Sequence, residues 1–244
     1  MYEKLKYIVK SVVPHSVLKS QDRRIRYIQG LGYRGTKYQC NICDTKLRKF
    51  ISIHTGDLMC PNCGSLPRAR GLWNRIKNQL DNKVVLHFSP SQSIKAAVSN
   101  KTNTKKYLTT DYEGEFETEF HFDIENIDLA DKSIDVIICY HVLEHIKNDE
   151  KAISELYRIM KPGGSCYIQT PFKEGNIYED FSITDPKERT IHFGQNDHVR
   201  IYSPEGLKQR ITKAGFKAEI IKMKNEPENY NGYKEVDITI ICYK

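Results

Sequence analysis

Cys40, Cys43, Cys60 and Cys63 form two C-x-x-C pairs with sixteen residues between them. A C-x-x-C turn aims two thiolates at one point, and two such turns close a tetrahedral S₄ site. Zn²⁺ suits that site, being soft enough for thiolate and free of any d-electron geometry to satisfy. All four positions would be filled, so the metal would be structural and not catalytic. Two disulfides are the competing reading. The charged start, Met1-Tyr2-Glu3-Lys4-Leu5-Lys6, resembles no signal peptide, and no apolar run approaches a membrane span. The expected location is therefore the cytoplasm, where thiols stay reduced and bind metal.

A second group of chemical residues lies further along. His141-Val142-Leu143-Glu144-His145 fits the H-x-x-E-H pattern of zinc peptidases, but that pattern needs a helix. Here a β-type run, Ile134 to Tyr140, leads straight into His141, so the context is a strand-to-loop junction. The stretch from Thr184 to Tyr202 holds His192, His198, Arg189, Arg200 and Tyr202, and is unusually polar for its position.

These groups need elements to hold them. Leu5, Ile8, Val9, Val12 and Val13 recur at helical spacing, and residues 1–29 read as two helical pieces broken near Pro14. Residues 38–66 read as a ribbon with short strands such as Lys49–Ile53, and Arg68–Leu80 as a helix. After Asp81 the rhythm becomes alternating strands and helices. Strands are expected at Val84–Phe88, Lys106–Thr110, Glu119–Phe122, Ile134–Tyr140, Ser165–Thr170, Lys217–Ile221 and Val236–Tyr243. Helices are expected at Ser91–Val98, Glu150–Met160 (stopped by Lys161-Pro162-Gly163-Gly164) and Pro204–Ala214. That is an α/β pattern, a doubly wound sheet with helices on both faces. Two domains follow: a helical and Cys₄ zinc-ribbon domain over 1–80, and the α/β domain over 81–244.

Charge separates them. The net +7 hides sixteen Lys and Arg against four acids in residues 1–80, a net +12, with −5 in the remainder. A basic module on a mildly acidic body suits an anionic partner: a phosphorylated small or carrier-linked substrate, or RNA.

Three motifs in order carry a family resemblance: Asp131 through Ile146, Glu155-Leu156-Tyr157-Arg158-Ile159-Met160-Lys161-Pro162-Gly163-Gly164, and Ala214-Gly215-Phe216. Together they resemble the class I S-adenosylmethionine (SAM) dependent methyltransferases, in the small-molecule branch with a "hvLEH" ending to the fourth strand. Cys60-Pro61-Asn62-Cys63-Gly64-Ser65-Leu66-Pro67-Arg68-Ala69-Arg70 is similar to a cysteine-rich start found in a subset of bacterial members. The resemblance implies a Rossmann-like seven-stranded sheet with SAM across the carboxyl ends of its first strands. Asp111 would hold the ribose hydroxyls, since a carboxylate accepts both protons. Asp123 and Ile124 would flank the adenine, and Tyr140 and His141 would line the methionine end. The family's first loop is glycine-rich, whereas here it reads His87-Phe88-Ser89-Pro90-Ser91-Gln92. His87, Ser89 and Pro90 are then the cofactor-side candidates, with the Ser89 and Gln92 side chains or the following helix N-terminus replacing the glycines.

The implied reaction is methyl transfer to a small or carrier-linked metabolite, most naturally at a hydroxyl. Transfer to oxygen needs a base, and His145 and His198 are the candidates. Arg189, His192, Arg200 and Tyr202 are the candidates for holding an anionic substrate. Two alternatives stand beside this: an RNA methyltransferase gripping RNA with its basic ribbon, and a non-catalytic zinc scaffold with a degenerate first loop. Neither the Pro-Cys context of cytosine methylation nor an Asn/Asp-Pro-Pro-aromatic motif is present, which counts against a base-modifying enzyme.

Overall fold

In a computed structural model the described residues are 26–224 and 228–244. The helical pattern built on Leu5, Ile8, Val9, Val12 and Val13 lies outside them. Two compact units divide the chain. One takes residues up to Arg75 together with the Asn225–Glu235 segment; the other takes Ile76–Lys224 and Val236–Lys244.

The first unit is built from short pieces. After a helical stretch over 26–31, strand β1 (Arg34–Gln39) pairs antiparallel with β2 (Lys46–Leu47), and β3 (Ile51–Ser52) with β4 (Leu58–Met59); helix α1 (Pro67–Ile76) follows. The two cysteine turns close alike. The Cys40 amide donates to the Thr45 carbonyl and the Cys60 amide to the Ser65 carbonyl. Each turn needs a left-handed residue four positions on, supplied by Asp44 (φ 56°) and Gly64 (φ 73°).

The second unit begins with β5 (Val84–Phe88), α2 (Gln92–Lys101), β6 (Lys106–Thr110) and β7 (Ile134–Tyr140). A single 3₁₀ turn, Leu143–His145, precedes α3 (Asp149–Ile159), then β8 (Met160–Gln169), the short β9 (Tyr178–Glu179), α4 (Pro186–Phe193), β10 (Arg200–Ile201), α5 (Pro204–Lys213), β11 (Lys217–Lys224) and β12 (Val236–Tyr243). The sheet order is β11-β12-β8-β7-β5-β6, with β6, β5, β7 and β8 parallel and the terminal hairpin antiparallel. This is the expected Rossmann-like arrangement with one strand reduced. The segment expected as Glu119–Phe122 makes only an isolated parallel bridge, Phe120 to Thr110, so six strands form and not seven. Glu119 and His121 are exposed there, and only Phe120 and Phe122 face inward, stacked at 4.8 Å.

The central strands bury both faces and read as continuous apolar runs, as parallel strands covered by helices do. Ile137, Ile138, Cys139 and Ile168 have no exposed surface, and α3 adds Ala152, Ile153, Leu156 and Ile159 to the cluster that holds Ile137, Cys139 and Ile168. Helix α3 stops at Ile159, just before Lys161-Pro162-Gly163-Gly164 as expected, and that run itself belongs to β8. A Cβ on Gly164 would sit 2.7 Å from Met160 Cγ and 3.0 Å from the Asp135 carbonyl, so glycine here permits close backbone approach.

Candidate active site and metal centre

The cysteine quartet converges. Cys40 Sγ lies 3.7 Å from Cys63 Sγ and Cys43 Sγ 3.8 Å from Cys60 Sγ. A tetrahedron of thiolates about 2.3 Å from a zinc has edges of about 3.8 Å, whereas a disulfide needs about 2.05 Å. The residues therefore fit Zn²⁺ and not a pair of disulfides; all four cysteines are free. Ser65 Oγ stands 3.3 Å from both Cys40 and Cys63 sulfurs, and Thr45 Oγ1 3.3 Å from Cys43. A zinc with four thiolates carries net negative charge, and the same unit buries one guanidinium, Arg70, with no exposed surface. Arg70 donates to the carbonyls of Ser65, Leu58, Asn231 and Gly232 and lies 4.4 Å over the Phe50 ring. Burial lowers its pKa and the cysteine charges oppose that shift.

In the sheet unit, register aligns the ends of the parallel strands. Phe88 is level with Thr110 and Cys139, and Tyr140 with Gln169. Ser89 and Asp111 therefore lie side by side just past the carboxyl ends, with His141 following the end of β7, where open α/β sheets bind ligands. Ser89 adopts φ 47°, the left-handed turn that a glycine would otherwise provide. Its amide donates to the Thr110 carbonyl, and its hydroxyl to Asp111 Oδ1 at 2.6 Å. The Phe116 amide donates to Asp111 Oδ2 at 3.1 Å. The Asp111 carboxylate is thus pinned yet keeps unused lone pairs. Asp123 is exposed and accepts from the Glu125 amide at 2.8 Å, with Ile124 buried beside it. Pro90 is buried at the loop.

Two cofactor-side candidates turn elsewhere. His87 is 2% exposed and shares a 2.9 Å hydrogen bond with the Tyr107 hydroxyl; burial drops its pKa to about 3, so it is a neutral core residue. Tyr140 reaches Thr239 on β12, hydroxyl to hydroxyl, at 2.9 Å.

The end of β7 organises a histidine cluster. His141 is left-handed (φ 57°); its amide donates to the Gln169 carbonyl, and its Nδ1 lies 3.2 Å from Glu144 Oε1. The 3₁₀ turn then presents His145, whose Nδ1 is 3.0 Å from Asp197 Oδ2. His198 packs edge-on against the His145 ring at 4.7 Å and places Nδ1 3.2 Å from the Phe193 carbonyl. Burial lowers the His198 pKa, with Glu144 opposing. The chain neighbours Asp197 and His198 do not pair with each other; Asp197 serves His145. Sequence reasoning missed Glu144 as a member of this cluster, although the i,i+3 spacing to His141 was a signal.

The Thr184–Tyr202 stretch is more ordered than a polar loop. Asp185 caps α4 by accepting from the Lys187 and Glu188 amides, Pro186 occupies the first turn, and Gly194 ends the helix at φ 90°. Arg189 is half-buried on α4, and His192 is exposed with Nδ1 2.7 Å from the Tyr178 hydroxyl. Arg200 and Tyr202 are corrections to the expected substrate clamp. Arg200 is 1% exposed and donates to Glu179, the Tyr202 hydroxyl and the carbonyls of Ile146 and Lys147, and lies 3.2 Å from Asp149. Tyr202 is fully buried and donates to Asp149. Their hydrogen-bonding capacity is spent inside the protein, on a network that includes Arg210. A cavity of about 410 Å³ lies by the start of α5, lined by Ile177, Ser203, Gly206 and Arg210 among others, and includes none of the cofactor or histidine candidates.

The sequence profile of a family described as "Methyltransferase domain" matches residues 59–219, more than half of the chain. A protein of Mycolicibacterium smegmatis named as an S-adenosylmethionine-dependent methyltransferase is 33% identical over 99 residues, 41% of this chain and 35% of that protein. The ubiquinone biosynthesis O-methyltransferase of Psychrobacter arcticus is 26% identical over 96 residues, 38% of this chain and 37% of that enzyme. The chain thus matches these curated relatives over about a third of their length. An S-adenosylmethionine dependent methyltransferase structure from Mesorhizobium loti superposes with a TM-score of 0.50 at 11% identity, covering 70% of this chain and 97% of that one, which supports the fold. The chain belongs to the family described as methyltransferase domain, and its Rossmann-like sheet agrees with that membership.

Proposed function

We propose that the protein methylates a hydroxyl of a small or carrier-linked, anionic metabolite, using SAM, with structural zinc in the Cys40–Cys43–Cys60–Cys63 site. The observation that carries the hydroxyl assignment is the His145–Asp197 pair at 3.0 Å, beside the end of β7. SAM supplies the methyl group on a sulfonium, already reactive toward a nucleophile. The work left to the chain is to hold the cofactor, orient the acceptor and take its proton. Asp111, fixed by Ser89 and the Phe116 amide, accepts from the ribose hydroxyls; Asp123 and Ile124 border the adenine. His145 is the half-exposed member of the histidine cluster and takes the acceptor proton, with Asp197 stabilising the imidazolium. His198 stands behind it and holds its ring. Arg189 and His192 on α4 remain the candidates for an anionic group. The Psychrobacter relative named as an O-methyltransferase agrees with an oxygen acceptor.

Left-handed Ser89 answers the missing glycines, which removes the main motive for reading the domain as a degenerate scaffold. RNA is a second reading with one observation behind it. In the cysteine unit, Arg48 and Lys49 lie over the Tyr33 ring and Lys37 over Tyr38, a basic and aromatic surface. The test is transfer of labelled methyl from SAM into a small-molecule extract and into RNA. Label in the small-molecule fraction, lowered about 10²–10⁴-fold by His145→Gln with SAM affinity retained, is expected. Label in RNA alone, or undiminished turnover in His145→Gln, overturns the reading.

A further inference from the structure

We infer that Glu144, His145 and His198 form a second metal site, which takes a divalent first-row cation through one carboxylate and two imidazoles. One ligand atom from each lies within 4.8 Å of the others. A cation about 2.1 Å from each donor holds them about 3.0–3.4 Å apart, so at most a small closure of side chains is required.

The hydrogen bonds around the cluster leave the right atoms facing each other. His198 Nδ1 faces a carbonyl, which can only accept, so that nitrogen carries the proton and Nε2 presents a lone pair. That Nε2 is buried without a partner, on a residue 2% exposed. His145 Nδ1 faces the Asp197 carboxylate, which fixes the same tautomer and leaves Nε2 basic. Carboxylate or carbonyl behind the far nitrogen is the usual support of a metal-bound imidazole. Glu144 is 1% exposed; its Oε1 faces His141 Nδ1, and its Oε2 is buried with no partner. A carboxylate in that position is strongly disfavoured without a counter-charge. Its one ion-pair partner among the described residues is His141, charged only when protonated. The Val199 amide donates to the Glu144 carbonyl and ties the two segments that supply the ligands. The peptidase pattern would join His141 and His145 on one ion. Here His141 is spent on Glu144, and His198 from the segment after α4 completes the set.

Two nitrogens and a carboxylate suit Zn²⁺, Fe²⁺ or Mn²⁺, unlike the all-sulfur quartet. The role of the site rests on the proposed methyl transfer to oxygen. A bound cation occupies the lone pairs that would otherwise act as base, so the two chemistries exclude one another at any moment. When bound, the cation would supply Lewis-acid polarisation of the acceptor hydroxyl, whose proton would pass to solvent as the oxygen takes the methyl group and the sulfur–methyl bond breaks.

The test is a Co²⁺ titration of the full chain with zinc retained in the quartet, followed by visible absorption. Cobalt on nitrogen and oxygen gives weak d–d bands, whereas cobalt on thiolate adds intense charge transfer. One saturable nitrogen–oxygen site is expected, weakened at least about tenfold by Glu144→Gln and by His145→Gln, and by Asp197→Asn, which loses the carboxylate that holds His145 Nδ1. SAM calorimetry on each variant reports folding and an intact cofactor site. No nitrogen–oxygen signal up to millimolar Co²⁺, or unchanged affinity in Glu144→Gln and His145→Gln, overturns the metal site while leaving the methyltransferase reading intact. Loss of SAM binding in the unmodified chain would instead overturn that reading.

Discussion

Ser89 holds a left-handed backbone immediately before Pro90, where proline further disfavours helical geometry. Left-handed geometry costs a non-glycine residue about 1–2 kcal/mol. Its hydroxyl donates to the ionised Asp111 at 2.6 Å, and a hydrogen bond to a charged group contributes about 1.5–3 kcal/mol. Ser89→Ala removes the bond and keeps the strain, for a loss of about 1.5–3 kcal/mol. Ser89→Gly removes the bond and relieves the strain, less about 0.5–1 kcal/mol for glycine's unfolded-state freedom, and should lose only about 1 kcal/mol. The order of stability is therefore Ser, then Gly, then Ala. Urea unfolding reads that order directly, and SAM calorimetry reads the loosened Asp111 as about tenfold weaker binding in Ser89→Ala, since about 1.4 kcal/mol is tenfold. A glycine variant more stable than the parent would mean the hydroxyl bond contributes nothing. Equal alanine and glycine variants would mean the strain only matches glycine's unfolded-state cost of about 0.5–1 kcal/mol.

Cys60→Ser should release zinc, measured as metal content after dialysis, and unfold the cysteine unit while SAM binding persists. Asp111→Asn should weaken SAM binding by about 10–100-fold, through loss of charge-assisted hydrogen bonds contributing about 1.5–3 kcal/mol. Arg200→Ala should lose about 3–5 kcal/mol of stability, as breaking a buried ion network does, without the selective rise in KM that a substrate clamp would show. His87 is held neutral by burial, with a folded pKa near 3 against an ordinary 6.5, so the unfolded chain binds the extra proton. Stability should then fall as pH drops from 6.5 toward 3, by up to about 1.4 kcal/mol per unit, and His87→Gln should flatten that slope.

The strands were legible because parallel, fully covered strands write themselves as apolar runs: Ile134 to Tyr140 could be little else. The position of Asp111 just past β6 was legible from the run Lys106 to Thr110, whereas its cofactor role came from the family resemblance and remains a proposal. The weak third strand failed because its inward residues are only Phe120 and Phe122, and a two-residue alternation fixes no ladder. Arg200 and Tyr202 misled because their partners come from Ile146, Lys147 and Asp149, about fifty residues earlier, and a buried network looks in sequence like a polar loop. His145 pairing with Asp197 was hidden for the same reason. The α4 helix was overlooked despite its local punctuation, Asp185-Pro186 at the start and Gly194 at the end.

The cysteine unit includes the Asn225–Glu235 segment, and Arg70 finds two of its four carbonyls there, on Asn231 and Gly232. A chain emerging from the ribosome exposes these cysteines before those carbonyls, which lie 161 and 162 residues beyond Arg70. The quartet can collect its zinc early, yet the unit that encloses Arg70 closes only once the last hairpin exists. Closure of the cysteine unit therefore waits on the Asn225–Glu235 segment, and a fragment ending near residue 80 would carry the metal ligands with a buried cation short of acceptors. Any attempt to transplant the ribbon alone should carry the hairpin loop with it.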